Sequence, residues 1–585
     1  MASLLKNPSH RAAIGYSGFD MSQRKQFTSA PGMLLPVYFD LLQPGDKVDC
    51  SVSTMTRFQP MATPVFASIK EHVDWFFVPL EQIYSQFGSV FFGINDPKSV
   101  QINPANASGE YFPYIPAGTA TTLIEGLVTP DQTSEADPIA KLPAFCDRIR
   151  LLEHLGLPME TLAQVDTTSG SMLGIPLWFA GAYQKIYNDH YRLDNFEAPQ
   201  VSTWNFDNVS SNAQVTSIPI INNVFSLRYA PYERDYLTYY FPSPLMGNGS
   251  SVPSAGPDSL NKVSQWLSGI SSVSRRSPSS SSAAAGAGSV GPNNTTPTTV
   301  TLNSWSGIAA GDVTNQINPA NLRTLFATEK LLEITRRAGK HYDLQQLAHF
   351  GVDLPNGIEG RAYFLGGKTN TITNQNGIYD IFSTNQSSEV ALGQMAGQAF
   401  GRLVDKNIKF EASCHGVLMA IYYVVPDITY EQTGYDGLNM VFGPSGFPRP
   451  EYDNLGMEPI THSEAYFLNA TDGAGIFGWK YRYYRFKQKK DVAFAGAIGN
   501  MHNWFMTRVA GEPGVQPLDN LICRPDIFND FMVAKFVHYV DVNDIGTDPR
   551  AGLVNCVFAY DPLVNDFKFN VYKSSKMSTY GLPSL

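Results

Sequence analysis

The sequence predicts a mainly β protein, built as a sandwich or barrel, and three observations support this. Stretches with strand-like patterns lie towards both ends of the 585-residue chain. Turns rich in glycine and proline separate them, and the middle of the chain is helical or irregular instead. Strands near the two ends must then pair across several hundred residues to enclose one core.

The N-terminal strand signals come first. Within residues 47–58 the side chains of Val48, Cys50 and Val52 alternate with polar neighbours, which is the period of a half-buried strand. A Pro-Gly-Asp turn precedes them. Residues 65–79 form a second candidate strand, which ends at a proline.

The middle of the chain, residues 79–400, is predicted to consist largely of insertions that contain helices. One helix is expected near residues 176–192, where tyrosines recur every four positions. Another is expected near residues 319–338, where large apolar residues keep a helical period and Gly339 suits the C-terminal cap.

Residues 247–300 contain a low-complexity stretch dominated by serine, alanine, glycine, threonine and proline. A segment with so few large apolar side chains cannot offset its ordering entropy by burial. We therefore expect a surface loop that leaves and rejoins a single domain spanning residues 1–585. A linker between two domains is the alternative.

Strand-like sequence resumes in the last third of the chain. Its apolar run from Gly416 to Val425 is about half of the roughly 20 residues that a membrane helix needs, so a buried strand is expected. The predicted strand segments are residues 407–426, 478–490, 530–542 and 552–562.

Composition excludes several classes of protein. The chain has 42 basic and 52 acidic side chains, a net charge of −10, and no polybasic arm at its N-terminus. A dedicated DNA-binding protein would usually be basic overall. The five scattered cysteines favour free thiols. Without a signal-peptide pattern, we expect synthesis in the cytoplasm and no insertion into a membrane.

Motifs for catalysis are missing from the sequence, so we predict no enzyme, no catalytic residue, no cofactor and no metal. Residues 364–370 resemble the end of a phosphate loop, but Ala362 stands where the first glycine should be. Cys414 and His415 are adjacent and could form a ligand pair, although a packed histidine is the simpler interpretation.

A basic, aromatic run at residues 478–490 is the strongest functional signal. Its cations are Lys480, Arg482, Arg485, Lys487, Lys489 and Lys490. Four aromatic residues are interleaved with them, and cations with flat rings suit single-stranded nucleic acid. The alternative is an amphipathic strand, with Trp479, Tyr481 and Tyr483 facing inward, Lys480 and Arg482 facing outward, and a bulge at residues 484–485.

Several segments resemble, in order, the major capsid proteins of microviruses, the small icosahedral single-stranded DNA phages, and in particular the gokushovirus-like branch. They include LPVYFDLLQPGD, ATPVF and WFFVP near the N-terminus, followed by PLWFAGAYQKIYNDHYR and PYERDYLTYYFPSP. Further matches are ATEKLLEITRRAGKHYDLQQLAHFGVDLP, AYFLGG, GWKYRYYRFK and the closing STYGLPSL.

The resemblance implies an eight-stranded antiparallel jelly roll with long helix- and loop-containing insertions. It also implies a homo-oligomeric shell with T=1 icosahedral symmetry around packaged single-stranded DNA, and therefore location in the virion. A small basic DNA-packaging protein would neutralise most of the genome, and residues 247–300 would form a surface protrusion that contacts a host receptor.

Two alternatives from other classes remain. One is a carbohydrate-binding or cell-surface jelly roll that forms a small oligomer. The other is a glycan-processing enzyme on a β-sandwich, which would need a pair of carboxylates in a cleft.

Overall fold

A computed structural model of the chain describes residues 15–61, 67–92, 112–116, 147–157, 174–207, 215, 217–245, 319–339, 341–352, 360–375, 398–404, 407–431, 435–441, 443–465, 475–494, 504–508, 521–532, 536 and 561–579. The loop expected at residues 247–300 lies outside this part of the chain. So do most of the strands expected at residues 530–542 and 552–562.

Seventeen strands occur in the described residues. They are β1 (Ser17–Asp20), β2 (Gln23–Ser29), β3 (Leu35–Leu42), β4 (Lys47–Phe58), β5 (Ile69–Pro79), β6 (Tyr114–Pro116), β7 (Gly174–Pro176), β8 (Tyr363–Gln375), β9 (Gln398–Val404), β10 (Ile408–Glu411), β11 (Gly416–Pro426), β12 (Thr429–Glu431), β13 (Met457–Thr461), β14 (Ile476–Tyr481), β15 (Val492–Ala493), β16 (Thr507–Arg508) and β17 (Leu563–Ser575).

The helices of the described residues are mostly short. They are α1 (Leu80–Ile83), α2 (Phe87–Phe92), α3 (Trp178–Ile186), α4 (Ile218–Val224), α5 (Pro319–Ala338), α6 (Tyr342–Phe350), α7 (His462–Ala465) and α8 (Tyr484–Lys487). A π-helical turn, Tyr187–Tyr191, continues α3, and residues 147–154 are also helical. Within the described residues, none of these helices is long and apolar enough to cross a membrane.

The chain divides into two compact units, Met1–Pro242 with Leu354–Leu585, and Ser243–Asp353. The first unit carries a ten-stranded antiparallel sheet in the order β1-β17-β4-β9-β8-β5-β11-β3, with β2 also paired to β17 and β10 to β4. The second unit contains α5 and α6. The expected mainly β protein is thus confirmed as a strand-rich, mixed architecture.

The two ends of the chain meet in this sheet. Strand β17 pairs with β4 from Leu563 opposite Phe58 to Ser574 opposite Lys47, and it also pairs with β1 and β2. The expected pairing of terminal strands is confirmed. The C-terminal strand of this pairing, β17, was not predicted, since the last predicted strand segment ends at residue 562.

Aromatic side chains fill the space between the two halves of this sheet. Phe569 of β17 lies 5.4 Å from Tyr38 of β3 and 6.1 Å from Trp75 of β5, measured between ring centroids. Phe567 lies 4.8 Å from Tyr422 of β11. Since β17 shares no ladder with these three strands, the contacts form a core between facing parts of the sheet.

A second, smaller core lies in the same unit and is rich in tyrosine. It contains Tyr236, Leu237, Tyr240, Tyr430, Ile460, Ala465, Tyr484 and Leu521. The hairpin of β13 and β14 borders it, and β12, which contributes Tyr430 to this core, pairs in parallel with both β15 and β16. The basic, aromatic run belongs to this second core.

The described cysteines agree with the expectation of free thiols, and the possible ligand pair of Cys414 and His415 has no further metal ligands among the described residues. Cys50, Cys414 and Cys523 are free thiols, and no group of three or more His, Cys, Asp or Glu side chains there could hold a metal ion. His415 packs against two rings, with its centroid 4.6 Å from that of Phe91 and 5.4 Å from that of Phe87. Burial lowers the pKa of this histidine.

Candidate nucleic-acid interface

The basic, aromatic run begins as the second strand of a hairpin. In β14, Lys480 pairs with Glu458 of β13 and Trp479 pairs with Pro459. Gly478 lies against the ring of Tyr240, and a Cβ atom at this glycine would approach the ring to 2.3 Å. The absence of a side chain at residue 478 therefore lets the tyrosine core pack directly on the strand.

Tyr483 then turns the chain. Its φ angle of 59° lies in the left-handed region, and in the described part of the chain it is the one non-glycine residue with positive φ. Such a conformation disfavours continuation of a strand. Helix α8 begins at the next residue, so the strand predicted for residues 478–490 ends at Tyr481.

Glu464, at 1% exposure, organises the residues that follow the turn. Its carboxylate accepts hydrogen bonds from the hydroxyls of Tyr484 at 2.7 Å and Tyr236 at 3.1 Å. It also pairs with the guanidinium of Arg485, whose Nε donates at 3.1 Å. A buried carboxylate needs such donors, so this ion pair fixes α8 to the tyrosine core.

The fit around this ion pair is close. A Cβ atom at Gly437 would lie 2.8 Å from Cγ of Arg485 and 2.9 Å from a carboxylate oxygen of Glu464. Burial raises the pKa of the Tyr484 phenol above its ordinary value, and the neighbouring carboxylate raises it further. The hydroxyl of Tyr484 therefore stays protonated and continues to donate.

Lys480 is the most deeply placed cation of the run, at 3% exposure. Its Nζ donates to Oε1 of Gln488 at 2.9 Å and lies 4.3 Å from the centroid of the Tyr236 ring. Burial lowers the pKa of this amine to about 8. The tyrosine ring and nearby carboxylates offset part of that desolvation by electrostatic attraction.

The remaining cations are more accessible. Lys487 pairs with Asp453 at 2.6 Å and both side chains are about half exposed, whereas Lys489 is exposed. Arg482 is partly buried and stacks on the Tyr483 ring at 5.3 Å. Lys490 is partly buried and donates to the backbone oxygen of Glu464 at 3.2 Å. Burial lowers the pKa of Lys490.

These positions contradict one sequence interpretation. In the amphipathic strand, Lys480 was to face outward and Trp479 inward, but Lys480 is buried and Trp479 only partly so. The reason is that the tyrosine core covers the face of β14 that carries Gly478 and Lys480. The prediction that the six cations contact DNA stays a prediction. The structure divides them into an inner group, Lys480, Arg485 and Lys490, and an outer group, Arg482, Lys487 and Lys489.

An exposed apolar surface accompanies the outer group. Phe486 is 41% exposed, and on the neighbouring loop Tyr452 and Leu455 are 45% and 62% exposed. The ion pair of Lys487 with Asp453 holds the two segments side by side. Cations and accessible rings on adjacent segments can contact phosphates and stacked bases together.

Sequence reasoning missed the residue that organises the site. Glu464 lies 16 residues before Lys480 and was not singled out, because one acidic residue in a polar stretch gives no local signal. Tyr236 is more than 200 positions away, in the segment PYERDYLTYYFPSP. That segment resembles one in a known family, but the contact of Tyr236 with the basic run is a tertiary feature.

Comparison with known proteins identifies relatives along nearly the whole chain. A model of the family described as capsid protein (F protein) matches residues 10–123 and 159–516. Capsid protein VP1 of Chlamydia phage 1 is 22% identical over 606 residues, covering 90% of this chain and 94% of that protein. Capsid protein VP1 of Bdellovibrio phage phiMH2K is 22% identical over 580 residues, covering 94% of this chain and 92% of that protein.

These two relatives are gokushovirus proteins, which agrees with the branch that the sequence resembles. The matched family is a structural family of the virion capsid and not an enzyme family. The family match therefore argues against both alternatives, the carbohydrate-binding or cell-surface jelly roll and the glycan-processing enzyme. Because the family model covers most of its length, the chain belongs to the capsid F protein family and is the major capsid protein of a microvirus, a single-stranded DNA phage.

Proposed function

We propose that copies of this chain assemble into a closed T=1 icosahedral shell that encloses a single-stranded DNA genome. Membership of the capsid F protein family carries this proposal. The composition supports it as well, because only 16% of the residues are charged and 12% are aromatic. Large protein interfaces are depleted in charge and enriched in aromatic residues at their centres.

For the fold, we propose an eight-stranded jelly roll extended by extra strands. The aromatic contacts of β17 with β3, β5 and β11 support two facing layers, as a jelly roll requires. In this proposal residues 1–585 form one domain whose insertions lie in residues 79–400. Residues 247–300 then form a surface protrusion that contacts a host receptor.

For the genome, we propose that the outer cations Arg482, Lys487 and Lys489 contact DNA, while Lys480, Arg485 and Lys490 hold the segment in place. The division follows from the contacts of each side chain. The inner three lie within hydrogen-bond distance of Gln488 or Glu464. Moving an inner cation to a phosphate would leave buried polar groups without partners.

This contact is local, because the chain as a whole carries a net charge of −10. We therefore propose that a small basic packaging protein and counterions neutralise most of the genome. The capsid segment would supply a few phosphate contacts and stacking on Phe486. Salt weakens contacts of this kind. The logarithm of the affinity falls with the logarithm of the salt concentration, by about 0.7 for each phosphate neutralised on a single strand.

Replacing both Lys487 and Lys489 by glutamine tests the genome contact. We expect particles to form in normal yield but to lose DNA at lower salt than wild-type particles do. The slope of log affinity against log salt for single-stranded DNA should fall by about 1.4, the sum for two phosphates. DNA per particle and particle yield are measured on the same preparation.

A matched control removes two other exposed cations with acidic partners. Lys47 pairs with Glu411 at 3.6 Å and Lys409 with Asp49 at 3.7 Å, both on the exposed face of the main sheet. Their double replacement by glutamine should leave DNA retention unchanged. Equal DNA loss in both double variants would show that residues 487 and 489 have no special contact with the genome.

A further inference from the structure

The ten-stranded sheet has two edges. One edge is formed by β1 and β2, which pair only with β17 among the described strands, and the other by β3, which pairs only with β11. Edge strands present unpaired backbone N–H and C=O groups to other molecules, and natural proteins often cover such edges with a helix or a loop. The helix at residues 147–154 and the turn that follows it contact both edges of this sheet.

Two residues of this helix contact β2. The guanidinium of Arg150 donates to the backbone oxygen of Thr28 at 3.3 Å. The ring of His154 lies 5.1 Å from that of Phe27, measured between centroids. Arg150 also donates to both carboxylate oxygens of Asp561, at 2.7 Å and 2.9 Å, just before β17 begins, and the hydroxyl of Thr28 donates to the same carboxylate at 2.6 Å. One buried ion pair thus joins the helix, β2 and the start of β17.

The C-terminal end of the same helix contacts β3. It ends in a Schellman motif at Gly156, whose φ angle is 79°, and the next N–H bonds back across the last turn at 2.9 Å. A Cβ atom at Gly156 would lie 3.3 Å from the Phe39 ring of β3. His154 has a hydrogen-bonding contact with the backbone of Pro36, also in β3. The acceptor is the carbonyl oxygen, because proline has no N–H.

Two further contacts link the same elements. Nζ of Lys25, in β2, lies 5.0 Å from the centroid of the Phe39 ring in β3, so the two edge strands are within side-chain reach of each other. At the other end of the helix, the carboxylate of Asp147 accepts a hydrogen bond from the hydroxyl of Tyr229. Tyr229 forms a β-bridge with Met33, just before β3. Both ends of the helix are therefore attached on the side of β3.

We propose that residues 147–157 form a clasp that holds the two edges of the sheet together, so that β2 and β3 loosen in concert when the clasp opens. These two strands share no ladder, and without a link each edge would open independently. Arg150 is 4% exposed and Asp561 1%, so breaking their ion pair leaves a buried charge without its partner. The clasp belongs to the single subunit and does not depend on the proposed shell.

Hydrogen exchange of the unassembled subunit, measured by mass spectrometry, tests the clasp from the side of β2. Arg150→Met together with Asp561→Leu removes the ion pair without leaving a buried charge. Exchange should increase about tenfold in β2 and also in β3, which shares no ladder with either substituted segment, while β8 keeps its protection. An increase confined to β2 and β17, an increase in every strand, or no increase would overturn the proposal.

Gly156→Ala tests the clasp from the side of β3. An alanine at a φ angle of 79° is strained, and its Cβ would press on Phe39. Exchange should increase about threefold in β3 and by a similar factor in β2, at the other edge, while the circular dichroism stays that of the wild type. Glu153→Gln, at an exposed position of the same helix, is the matched control and should leave both strands unchanged.

The two variants give independent answers. If the double variant yields no soluble protein, Gly156→Ala alone decides the question. An effect of Gly156→Ala on β3 without one on β2 would show that the two edges open independently, and the clasp would be wrong.

Discussion

The two cores of the first unit are stabilised by different physics. In the main sheet, the side chains of Phe567, Phe569 and Trp75 are fully buried and contact one another. In the tyrosine core, the phenols of Tyr236 and Tyr484 converge on the carboxylate of Glu464. Apolar packing depends on shape and volume, whereas the second core also depends on the direction of each hydrogen bond.

This difference explains how one segment combines structural and exposed cations. A directional network can hold Arg485 at one end of α8 while Lys487, two residues further on, points to the surface. An apolar core could not accept the charged side chains of this run without partners. The comparison predicts that damage to the first core is global, and that damage to the second is local and sensitive to charge.

The largest effect is expected from Phe567→Ala. Removing a fully buried ring leaves a cavity beside Phe27 and Tyr422, and such substitutions lower the free energy of unfolding by about 3–5 kcal/mol. Chemical denaturation of the unassembled subunit measures the change. Val564→Ala, at a 45% exposed position of the same strand, is the control and should cost less than about 1 kcal/mol. Similar losses at both positions would argue against a core between the sheet halves.

A smaller and more local effect is expected from Glu464→Gln. The amide weakens the ion pair with Arg485 and leaves a phenol with a poorer acceptor, which should cost about 2–3 kcal/mol. Hydrogen exchange should increase in α7, β14 and α8, while β4 and β17 keep their protection. Glu451→Gln, at an exposed position, serves as the control. Increased exchange throughout the main sheet would show that the two cores are not independent.

The smallest effect is a pH dependence. Burial lowers the pKa of Lys480 to about 8, below the roughly 10.4 of an exposed lysine. The unfolded chain therefore binds more protons between these values, so this lysine destabilises the fold least at high pH. From pH 7 to pH 9 the wild type should gain about 1 kcal/mol relative to Lys480→Met. Parallel curves for the two proteins would mean that the amine is not desolvated.

Sequence patterns predicted the main sheet in part. The predicted segments at residues 47–58, 65–79 and 407–426 contain β4, β5, β10 and β11, whereas the other six strands of the sheet were not predicted. Strand β4 covers the predicted residues 47–58, and β11 coincides with the apolar run from Gly416. Strand β17 carries the same signal, because Leu563, Phe567 and Phe569 alternate with exposed neighbours. Its interleaved lysine, asparagine and aspartate residues gave it the composition of a loop, and the strand was missed.

The candidate site was only partly predictable. The composition of residues 478–490 identified it, but the faces of β14 were assigned incorrectly. An alternation of aromatic and basic residues normally places the rings inside. Here Lys480 lies inside, because its aliphatic stem and amine pack on Tyr236, which is distant in sequence. Local periodicity holds no information on a partner that only the tertiary fold supplies.

A reconstruction of purified particles tests the central claim most directly. We expect a closed T=1 shell in which Phe486, Lys487 and Lys489 face the interior, with nucleic-acid density against them. Small open oligomers, or a shell in which this segment points away from the genome, would contradict it.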